Sequence, residues 1–513
     1  MKVDLLDQRN QWATDWQLSE LQRATYQDLE LQPLVDAASQ DDDFIAKMMT
    51  KSFFEPLTSQ PEIAYRQATL QYALQEPDYF KQIYQICGEI DYEVRHRLWI
   101  IDEEAATYSL SSSVSLTKIY LGGIQKIIAA AKTTTTLSPA VQQFQQRLNN
   151  IFGNGQMAAM LQLLNDLNNN HFYGVEGHLE ANFSTAVGER EIQHVNHFVD
   201  RLTEKLRLGT RKVTFEINPR DDNGSQAVVR LGNRASFKSA QSIMTVFHIL
   251  KAFFNELRAQ TAWLVGMTQL AQPLANQFCY PTMTPKVSGQ GIKNVVLLLS
   301  QQICQVIGND LDIELAPCLV ITGANQGGKT TFLRALGQAA LMANAGMFVC
   351  ATQLTLPGYT NVWTHFKREE DTAIASGKLD DELKRMATIV QQLGPHDLIL
   401  MNESFSSTNE HEGSTINFEV TKGLLARQAT VFSVSHQYEY TQLLKQATDL
   451  KPVFMRAQRS DDGARSFQIL PGPALKTSFG LDIFRKKFKA EANVTVPLLE
   501  KANSTISEQT TGD

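Results

Sequence analysis

The sequence predicts a multidomain protein: a mostly α-helical body with a small β-hairpin, followed by an α/β domain around a largely parallel sheet. Three observations lead there. The chain has 513 residues, too many for one compact core. Apolar residues recur at three- and four-residue spacing through most of roughly the first 300 positions, the period of packed amphipathic helices. Beyond them, short β-rich apolar runs alternate with helical segments, the pattern of an α/β unit.

Composition excludes several classes. With 43% hydrophobic and 20% charged residues the chain is an ordinary globular protein. No apolar run approaches the roughly 20 residues that span a bilayer. MKVDLLDQRNQW at the N-terminus lacks the apolar core of a signal peptide. A cytoplasmic protein without a membrane partner is expected. Five single cysteines (Cys87, Cys279, Cys304, Cys318, Cys350), with no CxxC pair, predict buried thiols rather than a disulfide framework or zinc ribbon. The net charge of −7 neither demands nor forbids nucleic acid, which depends on where basic residues lie.

The elements follow in order. AVQQFQQRLNNIF and MAAMLQLLNDLNNN read as helices. His171, His178, His194 and His197 carry no carboxylate or cysteine pattern that would make a metal site. Within KVTFEINPRDDNGSQAVVRLGN (212–233), Val213, Phe215 and Ile217 alternate with polar residues, DDNG supplies a turn, and AVVRL resumes as a second strand. This predicted hairpin lies in a basic stretch, 201–238, with nine Lys/Arg against four Asp/Glu. IMTVFHILKAFFNELRAQTAWLVGMTQLAQPLANQF then reads as one long apolar helical segment. Pro281 and PTMTPKVSGQGIKN place a boundary near residue 285. The expected domains are 1–285, 286–490 and a polar tail, 491–513. In the second, CLVITG, MFVCA, DLILMN and TVFSVS are expected strands, and Leu379, Leu383, Met386, Val390 and Leu393 form a helical stripe.

The chemistry lies in this α/β part. The run CLVITG enters GANQGGKT, Gly323 to Thr330, and a helical segment follows, which is the strand, loop and helix of a P-loop. Its glycines let backbone N–H groups converge on phosphates, Lys329 reaches the β/γ-phosphates, and Thr330 offers its hydroxyl to Mg²⁺. The apolar strand LILMNE supplies Glu403 to orient the attacking water. Its predecessor is Asn402, where such sites carry aspartate. An amide oxygen can still accept a hydrogen bond from a metal-bound water, without the charge. TVFSVSH ends in His436, a candidate to contact the γ-phosphate or its water.

Together these segments resemble the MutS family of DNA mismatch-repair ATPases over most of the chain. GANQGGKTT is similar to its GPNMGGKST, GMFVCA to its G-x-x-V-P-A, and NESFSSTNEHEG to its DEIGRGTSTYDG. VFSVSH matches the strand-plus-histidine, and FQILPGPALKTSFGLDI the late segments. SFFEPLTSQPEIAYRQATLQYAL resembles the start of the helical core, and FFNELRAQTAWLVGMTQLAQPLANQFCYPTM the helices leading into the ATPase. The resemblance implies a core/lever region joined to a P-loop ATPase of ABC/MutS type. It implies ATP phosphate binding by Gly323, Ala324, Asn325, Gln326, Gly327, Gly328, Lys329, Thr330 and Thr331. Mg²⁺ falls to Thr330, helped by Asn402 through water, the catalytic role to Glu403 and the switch-histidine role to His436. A homodimer with composite ATP sites and double-stranded DNA as partner are also implied.

Three departures shape the expectation. No F-x-E mismatch-reading motif precedes the helical core, the dimer-crossing segment reads SGKLDDEL where S-T is usual, and Asn402 replaces aspartate. No nuclease domain is expected after the ATPase. The leading expectation is an ATP-binding, ATP-hydrolysing DNA-binding protein of repair or recombination. The alternatives are an ATP-switched dimeric interaction module and, weakest, a P-loop small-molecule kinase.

Overall fold

The structure is a computed structural model. It describes residues 2–6, 12, 15–57, 59–97, 106–131, 138–169, 175–179, 185–189, 222–300, 305–313, 317–323, 326–368, 377–459 and 465–474. The expected polar tail, Ala324, Asn325, and His171, His194 and His197 lie outside these residues.

The helical body begins with α1 (Glu20–Asp28), which opens on a capping box between Ser19 and Gln22. α2 (Gln32–Ser39) and α3 (Asp43–Phe53) follow, the latter capped by Asp42. α4 (Gln60–Gln75) and α5 (Pro77–Arg97) lead to α6 (Ala106–Ala131), α7 (Pro139–Phe152) and α8 (Gln156–Asn169). α4 and α7 each start from a serine cap with proline in the first turn, where a missing N–H goes unnoticed.

A hairpin exists, but not where the alternation pointed. β1 (Val175–Leu179) and β2 (Thr185–Glu189) pair antiparallel, with His178 opposite Ala186. AVVRL instead belongs to α9 (Asp222–Ala271), a single 50-residue helix, roughly 75 Å long at 1.5 Å per residue. A five-residue apolar run fits a helix as well as a strand. Within DDNG, read as a hairpin turn, Asp222 is the first residue of the helix, where an acidic residue is favoured. The first predicted strand, 212–217, lies outside the described residues. The helix ends at Ala271, just before Pro273, so PLANQF is not helical.

The α/β part contains β3 (Thr282–Met283), β4 (Val287–Ile292), α10 (Val295–Leu299), β5 (Asn309–Ile313), β6 (Cys318–Thr322) and α11 (Lys329–Asn344). Then come β7 (Gln353–Leu356), β8 (Val362–Phe366), α12 (Lys378–Gln392), β9 (Leu398–Asn402), α13 (Glu410–Ala426), β10 (Thr430–Val434), α14 (Tyr438–Gln446), β11 (Pro452–Arg459) and β12 (Arg465–Pro471). The main sheet has the order β12-β11-β6-β10-β9-β8. Every pairing in it is parallel except β11 with β12. A second sheet, β3-β7-β4-β5, has no counterpart in the sequence reading. MFVCA forms one isolated bridge, Val349 to Cys279, rather than a strand. Of the predicted stripe, Met386 is buried, Leu379, Val390 and Leu393 pack half-buried beside it and Leu383 is exposed, while Ile389, outside the stripe, is also buried.

The register of the main sheet determines where the site lies. Val434 pairs with Ile321 on one side and Asn402 on the other. Strands β6, β10 and β9 therefore end level, and the chain emerges from all three at one edge.

The helical body is not a separate layer. One hydrophobic cluster runs from Val3 to Ile469. α1 lies against β8, where Thr25 donates to Val362 O at 3.3 Å and Thr364 to Asp28 at 2.7 Å. α11 is held along its length, by Arg334 to Asp28 O, Gln338 to Leu29 O and Arg66 to Ala345 O, at 2.8, 2.9 and 2.8 Å. Arg66 is itself buried against Trp12 and Trp263, 5.0 and 5.6 Å from their ring centroids, and the two rings contact each other edge to face at 6.0 Å. Gln260 of α9 binds Leu5 N and Val3 O, both at 3.0 Å. That fastens the first described residues to the long helix.

Candidate nucleotide site

After β6 the chain turns at Gly323, with φ 118°; a Cβ there would lie 3.0 Å from Ala457, so the position requires glycine. Gln326 and Gly328 are also left-handed, at φ 62° and 87°. Left-handed residues interleaved in a turn aim successive N–H groups to one side, as an anion-binding nest requires. α11 starts from Gly328 with no side-chain cap. Its first N–H groups, and the positive end of its dipole, face the same place.

Lys329 is only 5% exposed, and its ammonium donates to Gly323 O at 2.8 Å. Burial pulls its pKa below the ordinary lysine value, while the Glu403 carboxylate pulls it back up. Thr330 donates its hydroxyl hydrogen to Asn402 Oδ1 at 2.9 Å. Thr331 O, one residue on, lies 3.3 Å from Asn294 Nδ2. Asn402 was expected to act through a water; it also contacts the loop hydroxyl directly.

Glu403 leaves β9 in the left-handed region, with φ 54°. Its N–H donates to Val434 O at 2.9 Å, which ties it to β10. Its Oε2 is bound by His436 twice, by the backbone N–H at 3.3 Å and by Nδ1. The bond to Glu403 raises the His436 pKa above the usual histidine value, against partial burial and the nearby Lys329 and Lys367. Lys329, Thr330, Asn402, Glu403 and His436, named from the sequence, thus form one linked cluster.

Two further residues went unrecognised in the sequence. Phe467 has φ 54° and remains 47% exposed. A Cβ on Gly328 would meet its ring at 3.7 Å, so an aromatic surface stands at the loop's mouth. The signal was the FQILPG segment, which names a region without naming a ring. The other is His365, buried on β8 against Ser404 and Phe405 and signalled by no motif.

Thr330 Oγ1 and Asn402 Oδ1 are neutral hard oxygens, which suit Mg²⁺ better than a soft metal. Among the described residues no three His, Cys, Asp or Glu side chains group to hold a metal. The donors therefore fit a cation that arrives with phosphates and keeps most of its charge balance there. No helix among the described residues is long and apolar enough to cross a membrane.

Comparison with known proteins finds two family matches. Residues 319–507 match MutS domain V, and residues 58–277 match the MutS2 N-terminal domain. The DNA mismatch repair protein MutS of Thermus aquaticus is 33% identical over 174 residues, 34% of this chain and 21% of that protein. Its counterpart from Thermus thermophilus is 29% identical over 198 residues, 38% of this chain and 23% of that protein. The matched stretch thus spans under a quarter of either relative.

Proposed function

Since this chain belongs to the MutS family, pairing a MutS-type ATPase domain with a MutS2-like N-terminal region, we propose that it binds and hydrolyses Mg·ATP. We propose further that it does so as a homodimer coupled to double-stranded DNA, in mismatch repair or recombination-related maintenance. The observation that carries the catalytic part is the linked cluster Lys329, Thr330, Asn402, Glu403 and His436, gathered at the level ends of three parallel strands.

The chemistry divides among these groups. Lys329, seated on the Gly323 carbonyl, exchanges that neutral acceptor for phosphate oxygens, a stronger charge-assisted partner. The loop N–H groups hold the same phosphates. Thr330, with Asn402 behind it, would hold Mg²⁺, which would supply charge neutralisation to the phosphates. Glu403 orients and polarises water toward the γ-phosphate, and His436 contacts that phosphate or its water. Phe467 offers a face for the base to stack on.

DNA binding draws support from the relatives, described as DNA mismatch repair proteins, and from the basic stretch 201–238. The test is ATPase activity with no DNA and with homoduplex, mismatched and branched DNA, comparing wild type with Glu403→Gln and Lys329→Ala. Activity lost in both variants and stimulated by one DNA form is expected. Equal rates in all three proteins would remove the enzyme reading. Mg·ATP binding without turnover, and no retention on DNA at low salt, would favour an ATP-switched interaction module.

A further inference from the structure

Glu403, Ser404 and Phe405 form an unusual tripeptide, with Glu403 at φ 54° and Phe405 at φ 55°. Non-glycine residues persist in that region only where their surroundings impose it. Much of what surrounds this segment is one side chain. His365, on β8, is 1% exposed. Its Nδ1 lies 2.7 Å from Ser404 Oγ, and its ring stacks on Phe405 with centroids 5.2 Å apart. On the far side, Nε2 lies 3.0 Å from Glu382 O, on α12.

The hydrogen-bond chemistry fixes the tautomer. A carbonyl oxygen only accepts, so Nε2 carries the proton toward Glu382 O, and Nδ1 presents its lone pair to the Ser404 hydroxyl. That hydroxyl also lies 2.9 Å from His365 O, so either way Ser404 is anchored to this residue. Burial holds the imidazole pKa down at about 4, helped by Arg385 and Arg368, so it stays neutral at physiological pH. A second link joins the same two elements: Ser407 donates to Glu382 Oε1 at 2.8 Å.

We propose that His365 is a positioning residue for Glu403: by gripping Ser404 it holds the backbone that carries the carboxylate, and through Glu382 it ties that placement to α12. The inference deepens the ATPase reading above and rests on Glu403 acting on the attacking water. His365 acts only through Ser404 and Glu382. Its effect is confined to where Glu403 points.

Asparagine and glutamine dissect the two contacts, because the amide of Asn falls near Nδ1 and that of Gln near Nε2. His365→Asn keeps an acceptor for Ser404, whereas His365→Gln keeps only the donor toward Glu382. Steady-state ATPase is measured for both, for His365→Ala and Ser404→Ala, and for each alanine change combined with Glu403→Gln. Binding of a fluorescent ATP analogue and thermal melting are followed in parallel. The expected result is a kcat reduced about 10- to 100-fold in His365→Ala, His365→Gln and Ser404→Ala. KM and analogue affinity stay within about twofold, His365→Asn recovers most of kcat, and no further loss appears on the Glu403→Gln background.

Wild-type kcat in His365→Ala and Ser404→Ala, with Glu403→Gln inactive, would overturn the positioning role alone. Equal damage by Asn and Gln, with KM and melting shifted together, would likewise reduce His365 to a packing residue. Full turnover by Glu403→Gln would take down the ATPase reading of Glu403 and this inference with it.

Discussion

The hydroxyl of Thr330 and the amide oxygen of Asn402 are joined at 2.9 Å, which ties the start of the P-loop helix to the end of β9, the second strand over from β6 in the sheet. With aspartate that bond, and any bond to a metal-bound water, would be charge-assisted and about twice as strong. The difference is on the order of 1–2 kcal/mol. Asn402→Asp is therefore expected to lower the Mg²⁺ concentration for half-maximal ATPase activity about tenfold. An unchanged Mg²⁺ titration would refute this account of the asparagine.

His436 holds its proton more tightly in the folded protein than in the unfolded one, because Glu403 accepts its hydrogen bond. The linked stability is fully present below the ordinary value of 6.5 and is lost as pH rises through the raised value. Turnover should run in the opposite sense, since Glu403 bound by an imidazolium is a poorer partner for water. Activity is expected to climb with pH along a limb centred above 6.5, with Lys329 and Lys367 opposing the shift. His436→Asn, which cannot titrate, should flatten that limb in a pH–rate profile.

Arg66 joins the helical body to the end of the P-loop helix through Ala345 O at 2.8 Å, beside two tryptophan rings. Arg66→Met keeps most of the volume and loses the charged donor and both ring contacts. A loss of about 2–4 kcal/mol is expected, read as a lower midpoint in urea unfolding. A midpoint shift under about 1 kcal/mol would show that burial of the charge offsets its contacts.

Gly337 lies where α11 passes closest to its neighbours. An added Cβ would sit 2.4 Å from Leu400 Cδ1 and 2.7 Å from Leu29 Cδ2. Gly337→Ala gains about 1 kcal/mol of helix propensity, against roughly 1–3 kcal/mol of overpacking. The net expectation is a lower melting temperature; a rise would mean that Leu29 and Leu400 yield freely.

Phe467 stands exposed beside Gly328. Replacing it by alanine is expected to weaken ATP binding about tenfold, the worth of a stacked base, while leaving inorganic tripolyphosphate unaffected. Calorimetric titration of the two ligands distinguishes a base platform from damage to the loop.

The phosphate side of the site was legible because backbone geometry constrains composition: Gly323 and Gly328 are glycines for their φ angles, and Lys329 and Thr330 follow at the spacing phosphates require. Glu403 and His436 were legible as the ends of apolar strands. What could not be read were side-chain pairings across the sheet. The Thr330–Asn402 and Glu403–His436 bonds depend on parallel register, which appears only once the strands are ordered. The apolar run AVVRL misled because five residues satisfy both periods, and His365 lies in VWTHF, a buried strand whose composition advertises only packing.

The contact between α1 and β8 also bears on how the protein is made. Asp28 leaves the ribosome 336 residues before its partner Thr364, an interval of roughly 20–70 s at about 5–20 residues per second. For most of it, Leu29, wholly buried in the finished protein, awaits the α11 segment that packs on it at Gly337. Destabilising changes near Leu29 are therefore expected to reduce soluble yield during synthesis more than they reduce the stability of the folded chain.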